Sequence, residues 1–289
     1  MERFKPFSLN LHGRLLECNR PQVMGIINVT PDSFFAGSRT VDSDDIEARA
    51  AKMIDEGADM LDIGGYSSRP GADDVPPEVE KERIATGIKA IRRVSPSIPV
   101  SVDTFRADVA EYAVSECGAD IVNDISGGDL DPNMFGTVAR LKAPYILMHM
   151  RGTPASMSTM TDYVNVTAEV IARLTEKVDE LSLLGVADVI VDPGFGFAKT
   201  LEQNYELLKN LSLFTDVLHK PLLVGMSRKS MITRALGIDA SQALNGTTVV
   251  NTIALMEGAA ILRVHDVRQA AEAVKLCGLT AGGADSITL

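Results

Sequence analysis

The sequence predicts a single α/β domain folded as a (β/α)8 TIM barrel, and three observations carry the prediction. Short, mainly apolar, β-rich runs recur eight times along the 289 residues. Parallel strands covered on both faces read as continuous apolar runs and not as alternation. Helical patterns lie between the runs. From Asn28, after the first run, to Arg263, in the last, seven intervals average roughly 34 residues, the size of a βα repeat.

The runs are, in order, Val23–Ile27, Met60–Ile63, Val100–Val102, Ile121–Val122, Tyr145–Met148, Val189–Val191, Leu222–Val224 and Ile261–Val264. After the second, Pro76-Pro77 opens a helix that carries Val79, Ile84, Ile88 and Ile91 inward, because proline is pre-set for a first helical turn. After the fifth, Val166, Val170, Leu174, Val178 and Leu181 draw one apolar stripe along a helix from about Asp162 to Leu184. A doubly wound open sheet is the competing arrangement. It announces itself by a Gly-rich turn after its first strand, and here the first run leads instead into Asn28-Val29-Thr30-Pro31-Asp32. The domain is read as 1–289, with a tail from about Gly278, through Gly282-Gly283, expected to fray.

Composition excludes some partners. The net charge of −11 argues against nucleic acid and against a membrane surface, since phosphate polyanions require clustered positive charge. Cys18, Cys117 and Cys277 are odd in number and scattered, so neither a disulfide framework nor a zinc spacing can be built from them. That fits a reduced compartment. Met1–Pro6 lacks the apolar stretch of a signal peptide, and no apolar run approaches the length of a membrane span. The expectation is a soluble, cytoplasmic protein.

Nearly every apolar run ends in a polar group: Asn28, Asp62, Asp103, Asn123, His149, Asp192, Ser227-Arg228-Lys229, then Arg263 and His265. The carboxyl ends of barrel strands form the active-site face. Singly, Asp103 reads as a helix N-cap and Asp192, before Pro193-Gly194, as a turn former. Together, desolvating so many polar groups on one face costs stability that folding alone does not explain. Asp62, Asp103, Asn123 and Asp192 suit a polar heterocycle rich in N–H donors. Arg69, Arg263 and His265 form a cationic set suited to a phosphate or diphosphate. His149 and His265 lack zinc spacing and suit anion binding or hydrogen bonding. Asn28 offers an oxygen ligand to Mg²⁺, which takes few protein ligands beside substrate phosphates. No nucleophile has an adjacent base, so covalent catalysis is not indicated.

These residues fall in eight ordered motifs. Gly25-Ile26-Ile27-Asn28-Val29-Thr30-Pro31-Asp32-Ser33-Phe34 and Asp62-Ile63-Gly64-Gly65, with Ser67-Ser68-Arg69-Pro70-Gly71, are the first two. Ser101-Val102-Asp103-Thr104, Asn123-Asp124-Ile125-Ser126-Gly127-Gly128 and Met148-His149-Met150-Arg151-Gly152 follow. Asp192-Pro193-Gly194-Phe195-Gly196-Phe197, Ser227-Arg228-Lys229-Ser230 and Arg263-Val264-His265-Asp266-Val267 complete the set. Over about residues 22 to 277 the chain resembles the dihydropteroate synthases.

The resemblance implies a barrel that joins 4-aminobenzoate to (7,8-dihydropterin-6-yl)methyl diphosphate, giving 7,8-dihydropteroate and pyrophosphate with Mg²⁺ as cofactor. It implies that Asp103, Asn123, Asp192 and Lys229 hold the pterin, with Asp62 beneath. Asn28, Arg263 and His265 would hold diphosphate and Mg²⁺, helped by Ser68 and Arg69. Phe34, Pro70, Phe197, Lys229 and Ser230 would surround the aminobenzoate, and Asp103, Lys229, Arg263 and His265 would carry catalysis. The expected mechanism is dissociative: diphosphate leaves first and the arylamine attacks the resulting cation. A homodimer through helices on the far side of the barrel, and a place among sulfonamide targets, also come with the resemblance.

The chain departs from the family pattern at three places. Phe35-Ala36-Gly37-Ser38 stands where Ser-Asp-Gly-Gly is usual, Tyr66 where Glu is usual, and Ala198 where Gly is common. The rival readings are a methyltetrahydrofolate-type methyltransferase, which has no need of a diphosphate site, and a non-catalytic pterin-binding protein. A barrel acting on sugar phosphates would explain the cations but not the four acidic or amide strand ends.

Overall fold

In the computed structural model, residues 3–29, 43–66 and 75–280 are described. Eight parallel strands form one sheet: β3 (Gln22–Asn28), β4 (Met60–Gly64), β5 (Val100–Asp103), β6 (Ile121–Asp124), β7 (Tyr145–Met148), β8 (Val189–Asp192), β9 (Leu223–Val224) and β10 (Ile261–Val264). Their order runs β8-β7-β6-β5-β4-β3-β10-β9, and a parallel bridge from Val191 to Leu222 closes the ring. This is the predicted barrel.

Alternation along each strand sorts its residues between the helices and the barrel interior. Val23, Ile27, Leu61, Ile63, Val100, Val102, Val122, Leu147, Val191 and Leu262 join the large outer core with the helices. Met24, Met60, Ile121, Ile146, Ile190, Leu223 and Ile261 fill the interior. Two residues further along the same strands come Asp62, Asn123, Asp192 and Arg263. At a rise of ~3.3 Å per residue, that polar layer lies ~7 Å above the apolar one. Parity alone therefore turns these side chains into the mouth.

The sequence reading missed an N-terminal hairpin, β1 (Phe7–Leu11) and β2 (Arg14–Cys18). His12 and Gly13 both take positive φ, 53° and 86°, as a two-residue hairpin turn requires. Leu9 and Leu11 pack on Met24, Met60, Ile121 and Ile146 and close the barrel's N-terminal end. Leu9→Ala should cost about 2–5 kcal/mol by urea unfolding. A loss below the resolution of that measurement would show that the hairpin does not plug the core.

Two helices differ from expectation. Helix α2 (Pro77–Val94) buries Ile84, Ile88 and Ile91, but Val79 is 37% exposed. The inward position of its first turn belongs to Glu80, fully buried, which accepts from Thr104 Oγ1 at 2.7 Å and Arg106 Nη1 at 2.5 Å. Helix α5 (Val166–Leu183) starts later than Asp162, because Asn165 caps it by accepting from the Ala168 amide. Its five-residue stripe is buried as predicted. The last helix continues through Thr280, so residues 278–280 are helical, and 281–289 lie outside the described residues.

Candidate active site

The ends of β4, β5, β6, β8 and β10 bring together Asp62, Asp103, Asn123, Asp192 and Arg263. Arg263 Nε donates to Asp62 Oδ2 and its Nη2 to Asp103 Oδ2, both at 2.6 Å. Asn123 Nδ2 donates to the same Asp62 oxygen at 3.1 Å. The other oxygen, Asp62 Oδ1, is buried without a hydrogen-bond partner among the described residues. So is Ser101 Oγ, paired in register with Asp62 across β4 and β5. A buried acceptor left unsatisfied is costly, which marks this floor as a place for a donor-bearing ligand or water.

Electrostatics follow from burial. Burial works against the Arg263 charge, but Asp62 and Asp103 outweigh it and hold its pKa above the ordinary value. The Asp103 carboxyl is raised to about 7 by burial, with Arg263 opposing and Asp62 reinforcing. Asp192 is raised by burial against the pull of Lys229. Lys229 in turn is lowered to about 8 by burial, with Asp192 opposing.

Lys229 occupies the N-cap position of the short helix Ser230–Leu236, and its side chain donates to Phe195 O at 2.6 Å. Its ammonium lies 4.6 Å from the Phe197 ring centroid. A methyl built on Gly225 would lie 3.9 Å from Lys229 Nζ, 3.9 Å from Arg263 Cβ and 4.0 Å from Asp192 Oδ2. These three side chains thus surround one point above β9, and glycine there leaves it open. Ile125, Met148, Met150, Met157 and Ala198, with Phe105 and Phe197, form an apolar patch beside this point. The sequence reading named only Phe197 of these as a site residue. Met148 and Ile125 flank polar strand ends, and that was the available signal.

Several expectations are corrected. His265 is not a cation: burial, then Arg263 and Arg49, lower its pKa to about 4. Its Nδ1 lies 3.0 Å from Ser227 Oγ, so it serves as a neutral hydrogen-bonding group. His149 is 3% exposed, with its Nδ1 3.1 Å from Lys199 Nζ, and burial lowers its pKa to about 2. Of the two roles expected for it, hydrogen bonding is the one this contact shows. Arg228 forms a two-pronged pair with Asp266, at 2.8 and 2.7 Å, joining the last two strand-end loops. Asp103 caps no helix, since Arg106 holds the N-cap of α3 (Ala107–Ser115). Asp192 does make the turn: its Oδ1 accepts from the Gly194 amide at 2.7 Å. A carboxylate has capacity beyond that one bond, so the turn and a ligand are compatible.

Asn28 is half-buried at the end of β3, in register with Gly64, which is in register with Asp103. Ser230 is exposed at its helix start. Phe34, Ser68, Arg69 and Pro70 lie outside the described residues, as do Ala36 and the rest of the first loop. Tyr66 replaces the usual carboxylate with an edge-to-face contact on Phe105, centroids 5.1 Å apart, beside the Arg106 guanidinium. Ala198 adopts φ 51°, the left-handed region, at a cost of about 1–2 kcal/mol against glycine. Among the described residues no three His, Cys, Asp or Glu side chains gather as a metal cage. A magnesium ion arriving on diphosphate needs few protein ligands, and a single amide oxygen at Asn28 fits that chemistry.

Residues 24–265 match the family model described as pterin binding enzyme. The chain is 44% identical over 260 residues to the dihydropteroate synthase of Synechocystis, covering 89% of each. It is 38% identical over 275 residues to the mitochondrial folate synthesis bifunctional protein of Arabidopsis thaliana, covering 90% of this chain and 49% of that one. It thus spans about half of that longer relative. The structure of Xanthomonas albilineans dihydropteroate synthase with 4-aminobenzoic acid superposes with a TM-score of 0.88 at 37% identity, covering 97% of this chain and 99% of that chain.

Proposed function

The chain belongs to the family of pterin-binding enzymes, and on that premise we propose that it catalyses the dihydropteroate synthase reaction of folate biosynthesis. It joins (7,8-dihydropterin-6-yl)methyl diphosphate to 4-aminobenzoate, releasing pyrophosphate. One observation carries the reading: Lys229, Asp192 and Arg263 surround a single open point beside an apolar patch, above a floor of Asp62 and Asn123. The test is pyrophosphate release from the pterin diphosphate with Mg²⁺, with and without 4-aminobenzoate. A dihydropteroate product is expected. Tight pterin binding with no product would overturn the assignment in favour of a non-catalytic relative.

In this reading Asp192 accepts from the amino and ring N–H groups of the pterin, and Asn123 and Asp62 take the remaining donors. Lys229 donates to the ring oxygen and lies along the ring face. The diphosphate is received by Arg263 and by the His265 imidazole, and Ser68 and Arg69 are assigned to the same group. Asn28 would hold Mg²⁺, which supplies charge neutralisation to the leaving group. The bond from the exocyclic carbon to diphosphate oxygen breaks first, and Asp103 and its neighbouring carboxylates stabilise the pterin cation that remains. The arylamine, held near Phe34, Pro70, Phe197, Lys229 and Ser230, then attacks that carbon through its nitrogen lone pair and releases its N–H proton to water. An α-secondary deuterium isotope effect at this carbon close to unity would overturn the dissociative order. Sulfonamides, as arylamine analogues, should compete at the same place.

The protein works as a homodimer in this proposal. Val249, Ile253 and Met256 line one exposed stripe of α9 (Leu244–Met256), with Leu276 and Leu279 exposed on α10 (Val267–Thr280). Ile253→Glu should convert dimer to monomer in sedimentation velocity, and an unchanged dimer would place the interface elsewhere. A reducing, cytoplasmic setting suits three free cysteines, two of them buried. No described helix is long and apolar enough to cross a membrane.

A further inference from the structure

Lys199 follows the loop after β8, carries a buried amine that no substrate role uses, and is only 9% exposed. Its Nζ donates to Gly194 O at 3.0 Å and Phe197 O at 2.9 Å, and lies 3.1 Å from His149 Nδ1. The loop between is bent into an arc that extended residues do not follow. Gly194, Gly196 and Ala198 take φ of 73°, 80° and 51° at alternate positions. A Cβ on Gly194 would come within 1.9 Å of His149 O, so the loop is pressed against β7.

This arc holds three parts of the site at once. The Gly194 amide fixes Asp192, Phe195 O accepts from Lys229, and the Phe197 ring lies under the Lys229 ammonium. Its outer side is tied down by the Gly196 amide on Asn204 Oδ1 at 2.7 Å. Its inner side is held by Lys199.

We infer that Lys199 is a positioning residue: its buried amine, braced by His149, gathers the Gly194 and Phe197 carbonyls and so sets where Phe197 and Lys229 meet the arylamine. The hub does not depend on its charge. As an ammonium, Lys199 donates to both carbonyls and to the imidazole; as an amine it keeps both carbonyls and accepts from the ring N–H. The inference rests on the synthase reading, because it assigns Lys199 to the second substrate's side of the site.

The test compares the wild type with Lys199→Met, whose unbranched side chain is one atom shorter and loses both N–H bonds to the carbonyls. KM for 4-aminobenzoate should rise at least tenfold. Calorimetric affinity for a pterin should stay within about threefold, because Asp192 keeps its Gly194 bond and its floor. His149→Leu should give the same split in weaker form. His149→Gln, which still offers a side-chain oxygen to Lys199, should recover most of what Leu loses. Should Lys199→Met fail to fold, the two His149 variants decide the matter alone. Equal losses for both substrates, no change in KM, or Gln behaving like Leu would each overturn the positioning role. A wild-type chain without turnover would overturn the functional reading instead, which the same assay reports separately.

Discussion

Replacing Arg263 by methionine should lower kcat/KM for the pterin diphosphate by about 10²–10³-fold, the magnitude lost when one aimed cationic donor is removed from a developing charge. It should also destabilise the fold by about 3–5 kcal/mol, because one partner of a buried ion pair is deleted and the others remain. Those others are Asp62, wholly buried with one oxygen already unpartnered, and Asp103, each 2.6 Å from the guanidinium. The loss should depend on pH in a defined direction. Asp103 is raised by burial to about 7 in the folded protein, so the folded state holds its proton to higher pH than the unfolded chain does. Its contribution to stability is complete below about pH 4 and is lost as pH rises through 7. Arg263 opposes that rise, so deleting it enlarges the loss. The destabilisation relative to wild type should be smaller at pH 5, where Asp103 keeps its proton, than near pH 8, by urea unfolding at each pH. A pH-independent difference would mean that the two carboxylates find another counter-charge.

The polar ring was legible in the sequence for a physical reason. A barrel strand buried on both faces is apolar along its length, so the residue where it turns polar marks the mouth. Asp62, Asn123, Asp192 and Arg263 could be placed on one face from that transition alone. What the ring does internally was not legible. That Arg263 is held by Asp62 and Asp103 depends on strands roughly 160 to 200 residues apart meeting. His265 looked cationic because its neutral state is set by burial and by Arg263 beside it, neither of which has a local signature. Lys199 was passed over for a similar reason: nothing adjacent in sequence announces that His149, fifty residues away, will receive its amine. The hairpin Phe7–Cys18 was missed because alternation over five residues is a weak signal, and its apolar face acquires meaning only when the barrel floor is present to cover.

Asp192→Asn should separate stability from function. The side chain is 5% exposed and burial raises its pKa, so the folded protein bears a desolvation cost to keep this carboxylate charged. Asparagine keeps the shape and an oxygen for the Gly194 amide. The melting temperature should therefore stay within about 4 °C, corresponding to a change of about 1 kcal/mol or less. Pterin affinity should fall by about a hundredfold, since one acceptor becomes an N–H facing the N–H groups of the ligand and both are left unpaired, at about 3 kcal/mol. A second effect distinguishes this from a simple lost contact. Asp192 is the first charge that opposes the burial of Lys229, whose pKa stands at about 8. Without it the Lys229 pKa falls further, and the ammonium deprotonates at lower pH. An alkaline limb of kcat/KM is expected near pH 8 in the wild type and should move to lower pH in the variant's residual activity. Unchanged pterin affinity by calorimetry would remove Asp192 from the pterin site. A fall in affinity with the alkaline limb unmoved would leave it there, but would make some group other than Lys229 the one that titrates.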